Sequence, residues 1–546
     1  MSGARRGAVG IGVIAALVIL QVVIVVAVVA GARDQDMTTQ RLDSSRALYA
    51  ADTGIHMALR ELAGNSDGDG DGAIGSISSD GNSGNDPALS QARVVVTKST
   101  TGTVSTVTAV GRSGGARRTI TTAVTVIPAM ARRVSYGSWP DSTPKYRIWD
   151  GSVWGAEQDT VSFGAKQYMI VARRCPTRAE VIIACDLQNS ELKAAVETGT
   201  PWGNLIQLTG DCGSNNTRPY YIAYEQLSGR ALVAYRSGNS ATIYYRIWDG
   251  TSWSAQSSTS SPLSGNPTYI KLIPKPGSNE ILLCVLDSNN DIAAMVWDGS
   301  AFGNKITVDT TAASTTNDCV DAAYESLTGH AVVMWGKSGN TSPQYRVWTG
   351  SAWQAVASAP SVGAAPQWVR IAANPVSNVL LAGVLDSSSH LNVQLWDGSA
   401  WGAALQVEAS APTTSSRCFD VAFEGLGGQG LVTYVHSGTS AVKYRSCVGT
   451  VWSAESTGPA LPGVPFQVQN SPTAGAQEIL TFANCSGGQN KLDFMRWDGS
   501  VYGSLQEVLT SNLSGGSGPE AFMVVGESTT AASGTTVRGW TDAAPQ

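Results

Sequence analysis

Charge is scarce in this sequence, and positive charge scarcer still. Asp, Glu, Lys and Arg together make up 14% of the 546 residues, the formal net charge is −6, and no basic run exceeds an "ARR" doublet. That balance excludes a nucleic-acid-binding surface. None of the eight cysteines precedes Cys175 and no CxxC pair occurs, which excludes zinc ribbons and thioredoxin-type redox chemistry. An even cysteine count permits disulfides in an exported chain. Cys319 and Cys418, at equivalent repeat positions before "DAAYE" and "DVAFE", read equally well as buried small hydrophobes. The four histidines, His56, His330, His390 and His436, have neither metal-ligand nor triad spacing. Tryptophan is missing from the first 138 residues, yet all 16 lie between Trp139 and Trp540. Two segments of different character therefore meet near 128–140, where "IPAMARR" breaks the pattern with a proline.

What is present is apolar and turn-rich: 42% hydrophobic residues and 59 glycines, a mixture that suits a β protein better than a helical bundle. After "MSGARRG" no charge occurs between Arg6 and Arg33. About 20 apolar residues span a bilayer as a helix, and Arg5 and Arg6 keep the short N-terminus cytoplasmic while the rest is exported. An ordinary secretory signal cleaved near "VVAGA" is the alternative. Helical spacing continues into "RDQDMTTQRLDSSRALYAADTGIHMALRELAG", with a stripe of Leu42, Ala47, Tyr49, Ala50, Ile55, Ala58, Leu59 and Leu62. A single helix over about 8–63 is expected.

The "RRG" before the apolar segment, the phrase "SSRALYAADTGIHMALREL" and the later "TVTAVGRSGGARRTITTAVTV" (106–126) together resemble the N-terminal module of PilX-like minor type IV pilins and type II secretion pseudopilins, over residues 1–127. The resemblance implies a prepilin leader, 1–7, cut by a prepilin peptidase between Gly7 and Ala8. It also implies an inner-membrane helix, a small β-domain, and other pilins or pseudopilins as partners. Gly12 stands where most major pilins carry a Glu, which implies a tip or priming role rather than a bulk subunit. Asp52 replaces the usual Glu of the "AEAG" phrase.

Within this module "DGDGDGAIGS" places Asp67, Asp69 and Asp71 at alternate positions with Gly72 next, the start of a calcium loop over 67–78. Its twelfth position is Ser78 instead of a bidentate Glu, and a solvated Asp-Gly linker ending the helix is the other reading.

The second segment repeats one phrase: "YRIWDGSVWG" at 146–155, "YRIWDGTSWS" at 245–254, "YRVWTGSAWQ" at 345–354 and "YRSCVGTVWS" at 444–453. Interleaved units such as "NEILLCVLDSNNDIAAMVWDG" bring the anchors to eight: Trp149, Glu197, Trp248, Trp297, Trp348, Trp396, Cys447 and Trp497, spaced 48, 51, 49, 51, 48, 51 and 50. Periods of that size, with three or four short β runs per unit and no helical stripe, predict a propeller. The first unit lacks one strand, and the run "PEAFMVVGES" (519–528) is the expected replacement, closing the ring without an open edge. The expected fold class is thus an α+β pilin-like module followed by an all-β eight-bladed propeller. Its parts are pilin-like residues 8–127, a linker or first strand over 128–140, and eight repeats over 141–546.

The Asp-Gly-x-x-Trp turns resemble in part the Asp-box of sialidase-type propellers, where they are structural. The arginine cluster, tyrosine nucleophile and acid of such an enzyme do not appear together, so a non-enzymatic chain is expected. Arg147, Arg246, Arg346 and Arg445 recur beside Tyr and Trp, an arrangement also seen in propeller lectins. They read either as ligand-binding groups for a glycan or as arginines lying flat on aromatic faces in the scaffold. The leading expectation is a surface-displayed propeller for adhesion or partner binding, with a glycan or surface receptor as ligand. A membrane-tethered propeller enzyme acting on polysaccharide and a purely structural envelope protein are the alternatives.

Overall fold

The structure, a computed structural model, describes the chain apart from residues 1–3, 65–66, 102–103, 126–131, 138–139, 199–201, 214–216, 413–416, 474–475, 487–490, 510–512, 514–521, 526–538 and 541–546. For 4–16, 63–64, 101, 104, 123–125, 466, 486, 522–525 and 539–540 it describes the backbone alone. Trp139, most of the "IPAMARR" stretch and the ends of "PEAFMVVGES" lie outside the described residues. Two compact units emerge: 1–127 with 530–546, and 128–529. The last seventeen residues (546 − 529) thus group with the first unit and not with the repeats.

In the first unit one helix runs Ala4–Gly64 and contains Gly7, Ala8 and Gly12. It is long and apolar enough to cross a membrane, and none of its described apolar side chains from Leu17 to Val29 is buried. Its second half packs on an antiparallel sheet of Arg93–Thr101, Val104–Ser113 and Ala116–Thr125, with Gly539–Trp540 added at the edge. Ala47, Ala51, Ile55, Ala58 and Leu62 are buried at the contact, near i, i+4 spacing, which keeps side chains on one face. Helix and sheet come very close. A Cβ on Gly54 would lie 2.5 Å from Val94 Cγ2, and one on Gly111 would run into the Ala47 carbonyl. Two residues of the expected stripe do not belong to it: Leu42 is 48% and Tyr49 71% exposed. Leu42 precedes the level at which the sheet begins, and Tyr49 sits midway between Ala47 and Ala51 on the opposite side of a 3.6-residue turn.

The second unit is all β and propeller-like. Among the described residues it holds eight antiparallel sheets, seven with strands in simple sequence order, within 167–209, 220–259, 267–309, 320–358, 366–408, 419–460 and 464–509. The remaining one, counted here as the first, joins Phe522–Val525 to Arg132–Tyr136, Lys145–Trp149 and Gln158–Asp159, uniting the two ends of the repeat region. First strands of successive sheets touch one another, and those of the eighth and second sheets touch Phe522–Val525.

The repeated phrase is the outer hairpin of a sheet. Asp249 Oδ1 accepts from the amides of Thr251 (2.7 Å) and Ser252 (2.8 Å), Gly250 takes φ +102°, and Trp248 and Trp253 form a bridge with their rings 5.4 Å apart. Asp150, Asp298, Asp397 and Asp498 build the same turn.

The inner tryptophan of each hairpin reaches the preceding sheet. In four hairpins its indole N–H donates to a glutamate there, buried or half-buried: Trp248 to Glu180 (2.9 Å), Trp297 to Glu225 (2.8 Å), Trp348 to Glu280 (3.2 Å), and Trp396 to Glu325. Nε1 of Trp149 and of Trp497 has no acceptor among the described residues. Trp297→Phe and Trp497→Phe lose similar ring area, but only the first loses this bond. The first is expected to cost about 1–2 kcal/mol more, read from urea midpoints of the full chain.

Candidate functional site

Three groups of residues come into question: the arginines of the repeats, the acidic loop, and the buried titratable side chains.

Arg147, Arg246, Arg346 and Arg445 lie on the third strands of the first, third, fifth and seventh sheets. Side chains alternate along a strand, so Arg246 shares a face with Trp248 and, like it, turns toward the preceding sheet. Each arginine donates across its own hairpin to a carbonyl eight residues on: Arg147 to Gly155 (3.2 Å), Arg246 to Ser254 (2.7 Å), Arg346 to Gln354, and Arg445 to Ser453 (3.5 Å). None is fully buried. One guanidinium N–H thus closes the hairpin, and others remain on the flank of the sheet.

Beside them stand residues the sequence reading missed. Tyr136 donates to Glu157 Oε2 at 2.7 Å and lies 3.4 Å from Arg147 Nε. Tyr434 donates to Glu455 Oε2 at 2.8 Å next to Arg445, and Lys443 holds the other oxygen of that carboxylate. In the third sheet Gln256 Nε2 donates to the Tyr235 hydroxyl at 3.0 Å. The fifth sheet has Trp335, Arg346 and Val356 at these places, without the polar pair. Burial, then the carboxylate acceptor, pushes the Tyr136 and Tyr434 phenols well above their ordinary range, so both act as neutral donors. The signal was present: the arginine recurs with a period of about 100 residues, twice that of the repeat, with that tyrosine before it in three of four units and an acid after it in two, and only an alignment of alternate units displays it.

In the acidic loop, carboxylate oxygens of Glu61, Asp67 and Asp69 lie within 4.8 Å of one another. Asp67 accepts from the amides of Gly70 (2.7 Å) and Gly72 (2.8 Å), and the bond from Gly72 leads in holding its carboxyl below the usual range. Asp69 accepts from Ser78 at 2.8 Å, yet burial keeps its carboxyl above the usual range. Asp71 turns instead to Ala73 and Ser79. The third acid of the group is Glu61, on the last turns of the helix, where it accepts from Gly68 (2.7 Å) and Gly75 (2.9 Å). A loop motif read forward from Asp67 could not have found it. Three hard oxygen donors around one point fit the chemistry of a calcium ion.

All eight cysteines are free and buried. Burial pushes the Cys319 and Cys447 thiols up to about 12, so they behave as small hydrophobes. Each histidine faces one carboxylate: His56 Asp52, His330 Glu325, His390 Asp386 and His436 Glu408.

No protein-family model and no curated protein matches this sequence. Among solved structures the chain is similar to the BP39L lectin of Burkholderia pseudomallei, at 14% identity over 63% of this chain and 99% of that one, with a TM-score of 0.44. It is also similar to a fungal lectin of Aleuria aurantia, a six-bladed β-propeller with a novel mode of fucose recognition (16%, 63% and 98%, TM-score 0.34). AofleA of Arthrobotrys oligospora is a third (14%, 57% and 90%, TM-score 0.34). Likenesses this distant say nothing about what this chain binds.

One buried acid departs from its repeat. At one position of the third strand, Lys193 donates to the Phe163 carbonyl and Asn392 to the Val362 carbonyl, both at 2.9 Å. The eighth sheet has Asp493 there, buried, and the partner it has among the described residues is the weak donor Cys485, whose thiol stands beside it. Burial pushes its carboxyl to about 6. An acid held above its unfolded value makes the fold lose stability as pH climbs from about 4 to 6, and the loss stays constant above that. Asp493→Asn is expected to stabilise the chain by about 2 kcal/mol at pH 8 and by little at pH 4. Denaturant midpoints at the two pH values check this, and a gain equal at both would rule out the titration.

Proposed function

We propose that this chain is a membrane-anchored, pilin-like surface protein whose second unit is a closed, non-enzymatic, eight-bladed propeller that binds glycans at its outer inter-blade clefts. The observation that carries the glycan reading is the Tyr–Arg–acid set on the flanks of the first and seventh sheets, with an amide variant on the third. A guanidinium beside a carboxylate offers donor and acceptor side by side, the pairing that adjacent sugar hydroxyls require, and aromatic rings line the same flank. Arg147, Arg246 and Arg445 are the ligand-binding arginines in this reading, with Glu157, Gln256 and Glu455 as partners. Arg346 is scaffold only, because Trp335 and Val356 replace the polar pair.

Glycan-array screening of the full chain, followed by calorimetric titration of the best ligand, tests it. Glu157→Gln and Glu455→Gln are each expected to weaken their own site by roughly tenfold or more, lowering the apparent stoichiometry, since a charge-assisted bond is lost. Arg346→Ala is expected to leave glycan affinity and stoichiometry unchanged. Equal effects at all four arginines would show that they act through the scaffold.

The pilin-like reading is supported by a helix that carries an exposed apolar half and a half packed on a small antiparallel sheet. It assigns Gly7–Ala8 as the processing site, and prepilin peptidase and other pilins as partners. Glu61, Asp67 and Asp69, in place of the Asp67–Asp69–Asp71 series, would hold Ca²⁺ and tie the end of the helix to the loop. Native mass spectrometry of protein taken from its membrane fraction is expected to give Ala8 as the first residue and one calcium per chain, lost in Glu61→Gln. A start at Met1 would sink the processing, and an ion unaffected by Glu61→Gln would sink the metal site.

A further inference from the structure

The sheet of the first unit presents three arginines in one cross-strand row. Arg93 is the register partner of Arg112, and Arg112 that of Arg117, so three guanidinium groups stand side by side on adjacent strands. All three are exposed, and none has a hydrogen bond or ion pair among the described residues. Like charges directly opposite one another destabilise a sheet, so the row costs the fold something. They face away from the helix: Val94, Val96, Val107 and Ala109 occupy the alternate, buried positions. Arg93 and Arg112 also border a depression of about 450 Å³ with Gln91, Ser113 and Gly114.

The placement of the row says what it faces. Ser113 Oγ donates to Asp43 Oδ1 at 2.9 Å, and Gly111 lies against Ala47 and Ala51, so this end of the sheet is level with residues 43–51 of the helix. The uncharged apolar stretch ends at Arg33. Ten residues (43 − 33) separate Arg33 from Asp43, a rise of about 15 Å at ~1.5 Å per residue. On the helix between Arg33 and Arg46 three acids, Asp34, Asp36 and Asp43, are matched in number by Arg33, Arg41 and Arg46, so the row is positive charge in excess there, whereas Glu61, Asp67 and Asp69 cluster at the other end. The unit is therefore electrically polar along the helix, with its cationic end toward the apolar segment.

We infer that the Arg93–Arg112–Arg117 row docks the sheet onto the anionic phospholipid headgroups of the membrane that the helix enters. The inference rests on the membrane-anchor reading of Ala4–Gly64. Docking holds the first unit down on the bilayer through unpaired cations whose attraction decays over about 8 Å, the screening length at physiological salt. A membrane of neutral lipid leaves the sheet free to lift.

The test uses the full chain in lipid nanodiscs, with a spin label at Gly115→Cys. That position lies in the turn beside the row, and an added side chain meets nothing within 4 Å. The native cysteines are buried, which leaves one reactive site. Relaxation of the label by a nickel-chelating headgroup lipid reports its closeness to the surface. It is expected to be several-fold stronger in discs of phosphatidylcholine mixed with phosphatidylglycerol than in phosphatidylcholine alone. The difference is expected to vanish in R93Q/R112Q/R117Q and to persist in R93K/R112K/R117K, which keeps the charge. Equal relaxation of the unsubstituted row in both lipids, or a lipid difference that survives in the Gln variant, overturns the inference. Loss of the effect on adding inorganic phosphate at constant ionic strength overturns it in favour of a free-anion site. A chain that does not enter the discs at all overturns the anchor reading, and the docking with it.

Discussion

A carboxylate placed between two sheets constrains most of the second unit. Strand ladders run within each sheet, so holding one sheet against the next falls largely to side chains. A glutamate buried there costs several kcal/mol unless donors surround it. Glu180 receives the Tyr224 hydroxyl from the next sheet at 2.8 Å and the Trp248 indole at 2.9 Å, while Arg178 stands 3.1 Å away. Glu225 receives Arg230 and the Trp297 indole. The strongest sign that acid and tryptophan belong together is what happens where the tryptophan is lost. In the seventh sheet Cys447 replaces it, and in the sixth sheet Val379 occupies the place of the acid, making the same backbone bond to Asn374 that Glu280 makes to Lys275. An acid without its indole donor would be left short of partners, and the chain has removed both.

The join between the two ends of the chain solves the same problem with full charges. Arg132 and Arg133 are neighbours on one strand and so point to opposite faces. Arg132 pairs with Glu478 of the eighth sheet, Arg133 with Glu197 of the second. Glu197 itself stands where every other sheet but the seventh carries tryptophan. The first sheet is thus clasped from both sides by ion pairs whose members are nearly all buried. Breaking one would strand the other partner in a low-dielectric interior, a heavier penalty than losing a neutral bond. The sheet assembled from residues nearly 400 apart in sequence is the one that most needs such a clasp, because closing a long loop costs entropy.

Most of this architecture was legible in the residues because it repeats. The phrase around each Trp-Asp-Gly marks a turn whose geometry follows from local chemistry: an Asp that accepts from two amides and a Gly with positive φ. The strand Phe522–Val525 was legible as an orphan run in search of a sheet. Legibility failed where function and contact depend on residues distant in sequence. Glu61 joins the acidic loop from a helix that reads as merely amphipathic. Glu157 and Glu455 look like solvated loop acids until Tyr136 and Tyr434 are seen beside them. On the helix, Ala51 and Gly54 carry the contact while Leu42 and Tyr49 do not, because closeness selects small residues and a hydrophobicity pattern favours large ones.

The same repetition decides where specificity can lie. Positions that hold neighbouring sheets together must be alike in every repeat or must change in pairs, as Val379 and Cys447 do. Glu157, Gln256, Val356 and Glu455 change together with the ring they stand beside: acid or amide with a tyrosine, Val356 with Trp335, while the hairpin bond of the neighbouring arginine persists in all four sheets. An invariant donor kept in place by the scaffold beside a variable pair is the arrangement that the proposed set of related but non-identical clefts requires. In that proposal Arg147, Arg246 and Arg445 serve both, with one N–H committed to the fold and the others left to the cleft.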